Sequence, residues 1–457
     1  MPPPPVRPRW RILAASSLRP QARPAHKYSP GEAPWHPQSS SEYLSPERGS
    51  VKTHPLLPLK NVRVIELGAA IASPYQTSMY ADMGAEVIKM ETEKRPDNIR
   101  YTNPWVGEKR DLDASYYFNK LNRNKLGLLL DLRKEEAKGI FKQIVSVTDI
   151  VVENFAAGTM DSLGLGYNEL RKYRPDLIMI SLSGFGATGP DRSFVAYGPV
   201  LEGVGGIMNL NGWKDGPPEI CPFSYTDYVS ALYASQLVMS ALYRRRITGQ
   251  GLHADISEAQ VATNAIPATF YDGAVNGRMW SRNGSRTLHH AIHEFFPCKG
   301  NDDWIAISIR DEAEWQAFCK ATGDAEWTRR PEFATEASRL QRQDELERLV
   351  GQWTATITRD EAFALLQRHG VSAGPMYSIK EVTEGKHTIA RKTYLPDPHP
   401  ITKDRRIAAS TIRLAGAPRE IFRPAPLWGQ HNPYVSLELL GFAPAEAERL
   451  KASGVFS

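Results

Sequence analysis

The sequence predicts an α/β fold built on a parallel sheet covered on both faces. Two observations carry this: strand-sized runs are apolar on both faces, and helix-length segments separate them. The length agrees, because 457 residues suffice for two compact domains or one large domain with an insertion.

VRVIEL at 62–67 reads as a buried strand, PYQTSMYADMG as the helix after it and EVIKME at 86–91 as the next strand. LGLLLDL at 126–132, the helical segment KEEAKGIFKQIVSVT and DIVVENF at 149–155 repeat the unit. A helix ending near Tyr173 leads to the strand DLIMISLS at 176–183. From about Tyr225 to Arg246, Leu232, Leu237, Val238, Ala241 and Leu242 recur at helical spacing, and Thr248-Gly249 stops the run. Apolar periodicity fades over 271–291, as a linker would have it. WIAISI at 304–309 and helices near 312–321, 343–355 and 359–369 make a smaller unit over 292–378. The tail, 379–457, is placed as a linker and a return to the first domain over 385–457.

Residues 1–55 differ in kind. They hold 12 of the 34 prolines and show no periodicity, so they read as a disordered extension. Their first acidic residue is Glu32, after Arg7, Arg9, Arg11, Arg19 and Arg23, so a mitochondrial transit peptide is the alternative. The prolines oppose the amphipathic helix that such a peptide needs.

Charge narrows the function classes. The extension carries eight Lys/Arg and three Asp/Glu, which accounts for the whole net charge of +5. The remainder is balanced at 48 and 48, so no nucleic-acid footprint is expected. No apolar run approaches the roughly 20 residues that span a bilayer. Cys221, Cys298 and Cys319 are too few and too scattered for a disulfide framework or a metal knuckle, which favours a reducing, cytoplasmic compartment.

Three features invite a chemical reading. GFGATG at 184–189 follows a strand and fits G-x-G-x-x-G, but Pro190-Asp191-Arg192-Ser193 follows in place of an apolar-faced helix. A glycine-rich loop that lets backbone approach a ligand is the better reading. His289, His290 and His293 with Glu294 would offer an i, i+4 imidazole pair on a helix, without a third ligand; a structural cluster is favoured over a metal site. Asp227, in SYTDYVSALYA, falls in the first turn of the long helix, where an acidic residue ordinarily serves stability. The same place suits a carboxylate nucleophile, because helix N-terminal amides favour its ionised form.

Six segments in order decide between these readings. SPYQTSMYADMGAEVIKME (73–91), NRNKLGLLLDL (122–132), DIVVENFAAGTMDSLGLGY (149–167), LIMISLSGFGATGP (177–190), TGQGLHADIS (248–257) and APLWGQHN (425–432) together resemble the family III CoA-transferases of the CaiB/BaiF type. That group includes formyl-CoA and carnitine CoA-transferases and, more distantly, α-methylacyl-CoA racemases. The resemblance runs from residue 59 to the end.

The resemblance implies a Rossmann-like large domain, 56–270 completed by 385–457, with a smaller α+β domain, in an interlocked homodimer. It implies a coenzyme A thioester and a small carboxylic acid as substrates, with no tightly bound cofactor. It makes Asp227 the nucleophile, forming an anhydride and then an aspartyl-CoA thioester. Ala70, Ile71, Ala72, Asn154, Phe155 and Tyr197 are placed beside CoA, and Lys89 and Lys125 at its phosphates. Succinyl-CoA, used by relatives, is the expected donor.

Two departures bear on substrate. SRNGSRTLHHAIHE contains only Gly284 where the formyl enzyme has a glycine run, and Ile71 stands where that enzyme has glutamine. Both favour a larger or less polar acid than oxalate. The racemase branch uses a histidine where Tyr197 stands, and residues 55–252 contain none, so transfer is favoured over proton exchange. A catalytically silent acyl-CoA-binding protein is the remaining alternative.

Overall fold

The computed structural model describes residues 56–107, 111–403 and 405–457; the expectations for the proline-rich extension fall outside them. Six strands form a wholly parallel sheet: β1 Arg63–Glu66, β2 Glu86–Glu91, β3 Leu126–Leu129, β4 Ile150–Glu153, β5 Ile178–Ser183 and β6 Leu252–Ser257. Their order is β3-β2-β1-β4-β5-β6, that of a doubly wound, Rossmann-like sheet. The order in which successive strands are added therefore reverses between β1 and β4, which opens a crevice at the carboxyl ends of those strands.

Alternate side chains of each strand feed opposite cores, as the pleat requires. Ile65, Ile88, Leu126, Leu128 and Val151 join one core with Ile140, Phe141 and Ile144 of the helix Glu135–Ser146. Val64, Val87, Ile150, Val152 and Ile180 join the other, with Tyr80 and Ala81 of α1 (Ala72–Asp82) and Ala234, Val238 and Ala241 of the helix Tyr225–Thr248.

The tail lies on the first of these cores through Val435, Leu450, Val455 and Phe456. It also covers edge strand β3. Gly127 N donates to His431 Nδ1 (3.0 Å) and Leu129 N donates to Asn432 Oδ1 (2.8 Å). The APLWGQHN segment thus supplies acceptors to amides that an open edge would leave unpaired.

A second core surrounds the antiparallel sheet β7 His293–Pro297, β8 Trp304–Ser308 and β9 Ser372–Pro375. Phe296, Ile305, Ile307, Trp315, Phe318, Leu346, Val350 and Leu366 fill it.

The structure corrects the sequence reading at three places. Pro267–Asn276 is a helix that runs into the stretch read as linker. None of its residues is buried, so its apolar positions face no core and show no core-facing period. His289 to His293 do not form a helical turn but lead into β7, with His293 Nδ1 hydrogen-bonded to Ser308 Oγ (2.9 Å). No group of His, Cys, Asp or Glu among the described residues could hold a metal ion. Finally, LHADIS at 252–257 forms a strand, β6, that the apolar pattern does not announce. As the edge strand it exposes alternate residues, and its short LHADIS pattern lacks the apolar run of a central strand. No described helix is long and apolar enough to cross a membrane.

Candidate active site

The loop after β1 enters the crevice with Ala70 at φ +63°, a left-handed conformation rare for a residue with a Cβ. Three side chains hold it there. Asn154, just past β4, accepts from Ala69 N through Oδ1 and donates to Ala69 O through Nδ2, both at 2.9 Å. Asp97 Oδ1 accepts from Ala70 N (2.9 Å), and Lys89 Nζ donates to Gly68 O (2.8 Å). Phe155 packs against the first core, and its amide donates to Glu153 Oε2 (2.8 Å).

Lys89 and Lys125 do not present themselves to a ligand. Both are completely buried and share Glu66: Lys89 Nζ lies 3.2 Å from Glu66 Oε1 and 2.9 Å from Asp97 Oδ2, while Lys125 Nζ lies 2.8 Å from Glu66 Oε2. Lys125 also donates to Pro74 O and Asn122 Oδ1, both at 2.9 Å. The expectation that they meet CoA phosphates is therefore replaced by a structural one. The ammonium groups neutralise buried carboxylates beneath the loop, and they cannot do so and reach solvent too. Burial opposes the charge of Lys89, but Asp97 and Glu66 outweigh it and its proton affinity is raised.

The glycine-rich loop after β5 is pinned from β6. Gly186 adopts φ +83°, and the next amide, Ala187 N, donates to both Asp255 oxygens at 3.0 and 2.9 Å. Beyond this loop Tyr197 is exposed and precedes a short helix, Gly198–Val204.

Asp227 sits in the first turn of the helix Tyr225–Thr248, whose N-terminus is at the crevice end of the sheet because its C-terminus feeds the start of β6. Its carboxylate rests against the Gly198 backbone so closely that a Cβ there would stand 2.3 Å from Oδ2. The adjacent Tyr228 belongs, with Tyr75 and Tyr117, to a cluster around Ile71, Ile99, Phe118 and Leu121. The Ile71 loop and the Asp227 helix are thereby joined through one apolar patch, in which Tyr117 Oη and Tyr228 Oη lie 3.2 Å apart.

The electrostatics of Asp227 run against the simple helix-terminus argument. Burial raises its proton affinity, its own backbone amide opposes that, and the nearby Glu202 adds to the rise. Glu202 is completely buried and accepts from Tyr225 N (3.0 Å) and Cys221 N (3.3 Å), so it occupies amides at the helix N-terminus. Glu258, also buried, has its proton affinity raised by burial and by Asp227. Sequence reading missed Glu202, Glu258, Tyr117 and Tyr228. Glu202 lies inside the quoted AYGPVLEG and Glu258 directly follows TGQGLHADIS, but neither position alone revealed that its side chain faces Asp227.

The site thus places a half-buried carboxylate at a helix N-terminus beside an apolar patch that also reaches the loop after β1, itself fixed by side-chain hydrogen bonds to its backbone. In comparison with known proteins, the profile described as CoA-transferase family III matches residues 59–432, and the chain belongs to that family. It is similar to the succinyl-CoA–D-citramalate CoA-transferase of Chloroflexus aurantiacus, 33% identical over 88% of this chain and 98% of that one. It is also similar to the succinyl-CoA:glutarate CoA-transferase of Mus musculus, 26% identical over 98% of each. Among solved structures, a CaiB/BaiF family protein from Brucella suis superposes with a TM-score of 0.76 at 27% identity, covering 84% of this chain and 99% of that one. The chain is an enzyme that transfers CoA between an acyl-CoA and a carboxylic acid.

Proposed function

We propose that Asp227 is the covalent nucleophile of this transfer. Its carboxylate attacks the donor thioester carbonyl, the carbon–sulfur bond breaks, and CoA leaves as thiolate from a mixed anhydride. The thiolate then attacks the aspartyl carbonyl and releases the donor acid, leaving an aspartyl-CoA thioester from which the acceptor carboxylate takes CoA. One observation supports this reading above others. The Asp227 carboxylate lies against the buried backbone of Gly198, directly after the exposed Tyr197, and its neighbour Tyr228 joins the apolar patch around Ile71, so the carboxylate and the loop after β1 adjoin. Two-step covalent exchange replaces one difficult displacement by easier acyl transfers.

Ala70, Ile71, Asn154, Phe155 and Tyr197 line the CoA path in this proposal, while Ala72 is completely buried in the second core of the parallel sheet and is left out of it. We take succinyl-CoA as donor, the thioester named in two relatives, and an acceptor larger than oxalate, since Ile71 makes the loop's inner wall apolar. A homodimer is part of the reading: Leu232, Tyr233, Met239, Tyr243 and Ile247 leave an apolar stripe exposed along the helix Tyr225–Thr248, and light scattering tests whether a second chain covers it. The cytoplasm is the proposed compartment, with the mitochondrion as alternative, and cell fractionation separates them.

Incubation with succinyl-CoA and a panel of dicarboxylic acids, followed by mass spectrometry, tests the mechanism. The wild type is expected to gain acyl or CoA mass at Asp227, and Asp227→Asn to lose at least about a thousandfold in kcat, the scale of removing a covalent nucleophile. Wild-type turnover in Asp227→Asn overturns it. Loss of α-deuterium from a chiral 2-methylacyl-CoA without CoA exchange would establish racemase chemistry instead.

A further inference from the structure

Three carboxylates converge at the N-terminus of the helix Tyr225–Thr248, from three elements packed on one another: Glu202 from Gly198–Val204, Asp227 from the long helix itself, and Glu258 from the helix Glu258–Asn264. The packing is tight. A Cβ at Gly198 would meet Asp227 Oδ2 at 2.3 Å, and one at Gly205, where the first helix ends, would meet Ala262 Cβ at 2.4 Å. Glu202 is accounted for, because both its oxygens accept backbone amides. Glu258 is not. It is 6% exposed and its Oε2 has no hydrogen-bond partner. The charged group facing it is Asp227; Asp255, at the end of β6, is taken up by Ala187 N. Among the described residues, no lysine or arginine contributes to the charge balance of either group.

Two buried carboxylates that repel one another, with no cation to offset them, do not both ionise at neutral pH, so the pair retains one proton. Solvation and hydrogen bonding decide which group keeps it. Asp227 is half-buried and its own backbone amide favours its negative charge, whereas Glu258 is nearly sealed and has an oxygen with no hydrogen-bond partner. We propose that Glu258 is a positioning residue for the nucleophile, carrying the shared proton and so leaving Asp227 as the ionised member of the pair; this rests on the reading of Asp227 as nucleophile. When Asp227 attacks, its oxygen bonds to the acyl carbon and the electron pair of the broken carbon–sulfur bond leaves on CoA. Glu258 transfers nothing in this step. Once Asp227 is acylated its charge is gone, and Glu258 becomes a stronger acid.

The consequence is a bell-shaped pH profile whose two limbs belong to the pair. Below the acid midpoint Asp227 is protonated and cannot attack. Above the alkaline midpoint Glu258 ionises and a second negative charge opposes the oxyanion of the attack, so kcat/KM for succinyl-CoA falls about tenfold per pH unit. Glu258→Gln keeps a neutral group of the same shape that cannot ionise, and is expected to retain the acid limb and lose the alkaline one. A Glu258→Gln profile superposing on the wild type overturns the proposal. So does a folded Glu258→Gln protein inactive at every pH, since an ionised glutamate would then be required.

Infrared titration of the free enzyme provides a measurement independent of that variant. The protonated-carboxyl band is expected to persist at pH 7 in the wild type and to titrate at least about one pH unit lower in Asp227→Asn, where the neighbouring charge is absent. Equal midpoints overturn the proposal. Should Asp227→Asn keep full turnover, the nucleophile reading fails, yet the infrared result still decides whether the two carboxylates share a proton.

Discussion

Asn154 grips both backbone groups of Ala69, accepting from its nitrogen and donating to its carbonyl, each at 2.9 Å. This pair spans the crevice between β1 and β4 and reproduces with a side chain what a further strand residue would supply. An asparagine is required because it alone, at that length, presents one acceptor and one donor in a plane.

Asn154→Ala removes both bonds, each worth about 1 kcal/mol net. If the loop meets acyl-CoA, KM for succinyl-CoA rises about tenfold or more while kcat changes less. Steady-state kinetics of this variant measures the split, and an unchanged KM removes the loop from CoA binding.

Gly198→Ala targets the nucleophile without touching it. The added Cβ would stand 2.3 Å from Asp227 Oδ2 and 3.0 Å from Ser224 Cβ, so the flexible carboxylate must swing aside. Turnover is expected to fall at least about tenfold with little change in the unfolding midpoint, because a side-chain tip yields more cheaply than backbone. Kinetics and urea unfolding on the same preparation test this.

Glu153, at the end of β4, makes stability depend on pH. Burial pushes its carboxyl up to about 7, against hydrogen bonds from Ser181 and the Phe155 amide. Because the folded value exceeds the unfolded one, the folded protein binds more protons across this window, and stability falls as pH rises from about 4.5 to about 7. Glu153→Gln retains an acceptor for Phe155 N and is expected to flatten that fall by a few kcal/mol, becoming the more stable protein above pH 7. Denaturant unfolding at pH 5 and pH 8 is the measurement.

Lys89→Met leaves Asp97 short of its counter-charge and Glu66 with Lys125 alone, all inside the protein. Breaking a buried pair from one side costs about 3–5 kcal/mol. Unfolding in urea reads this loss directly. A Lys89→Met protein as stable as the wild type, but with weaker binding of CoA, would restore the phosphate-contact reading.

What the sequence determined by itself was the fold class, the succession of the central strands along the chain, the long helix, and Asp227 as the residue to examine. These are legible because they rest on local pattern: β1 to β5 are buried on both faces and so are written in continuous apolar residues, and the motifs keep their order along the chain. The exposed helix Pro267–Asn276 and edge strand β6 left weaker marks, since elements that face no core on one side are under less compositional demand.

Only the tertiary structure decided what the charged residues do. Lys89 and Lys125 look like ligand-binding lysines at strand ends until Glu66 and Asp97, which flank them from other segments, are found to bury them. Glu258 looks like an ordinary first-turn residue until helix packing sets it before Asp227. A charge takes its role from neighbours that are distant along the chain, and those neighbours exist only once the chain has folded.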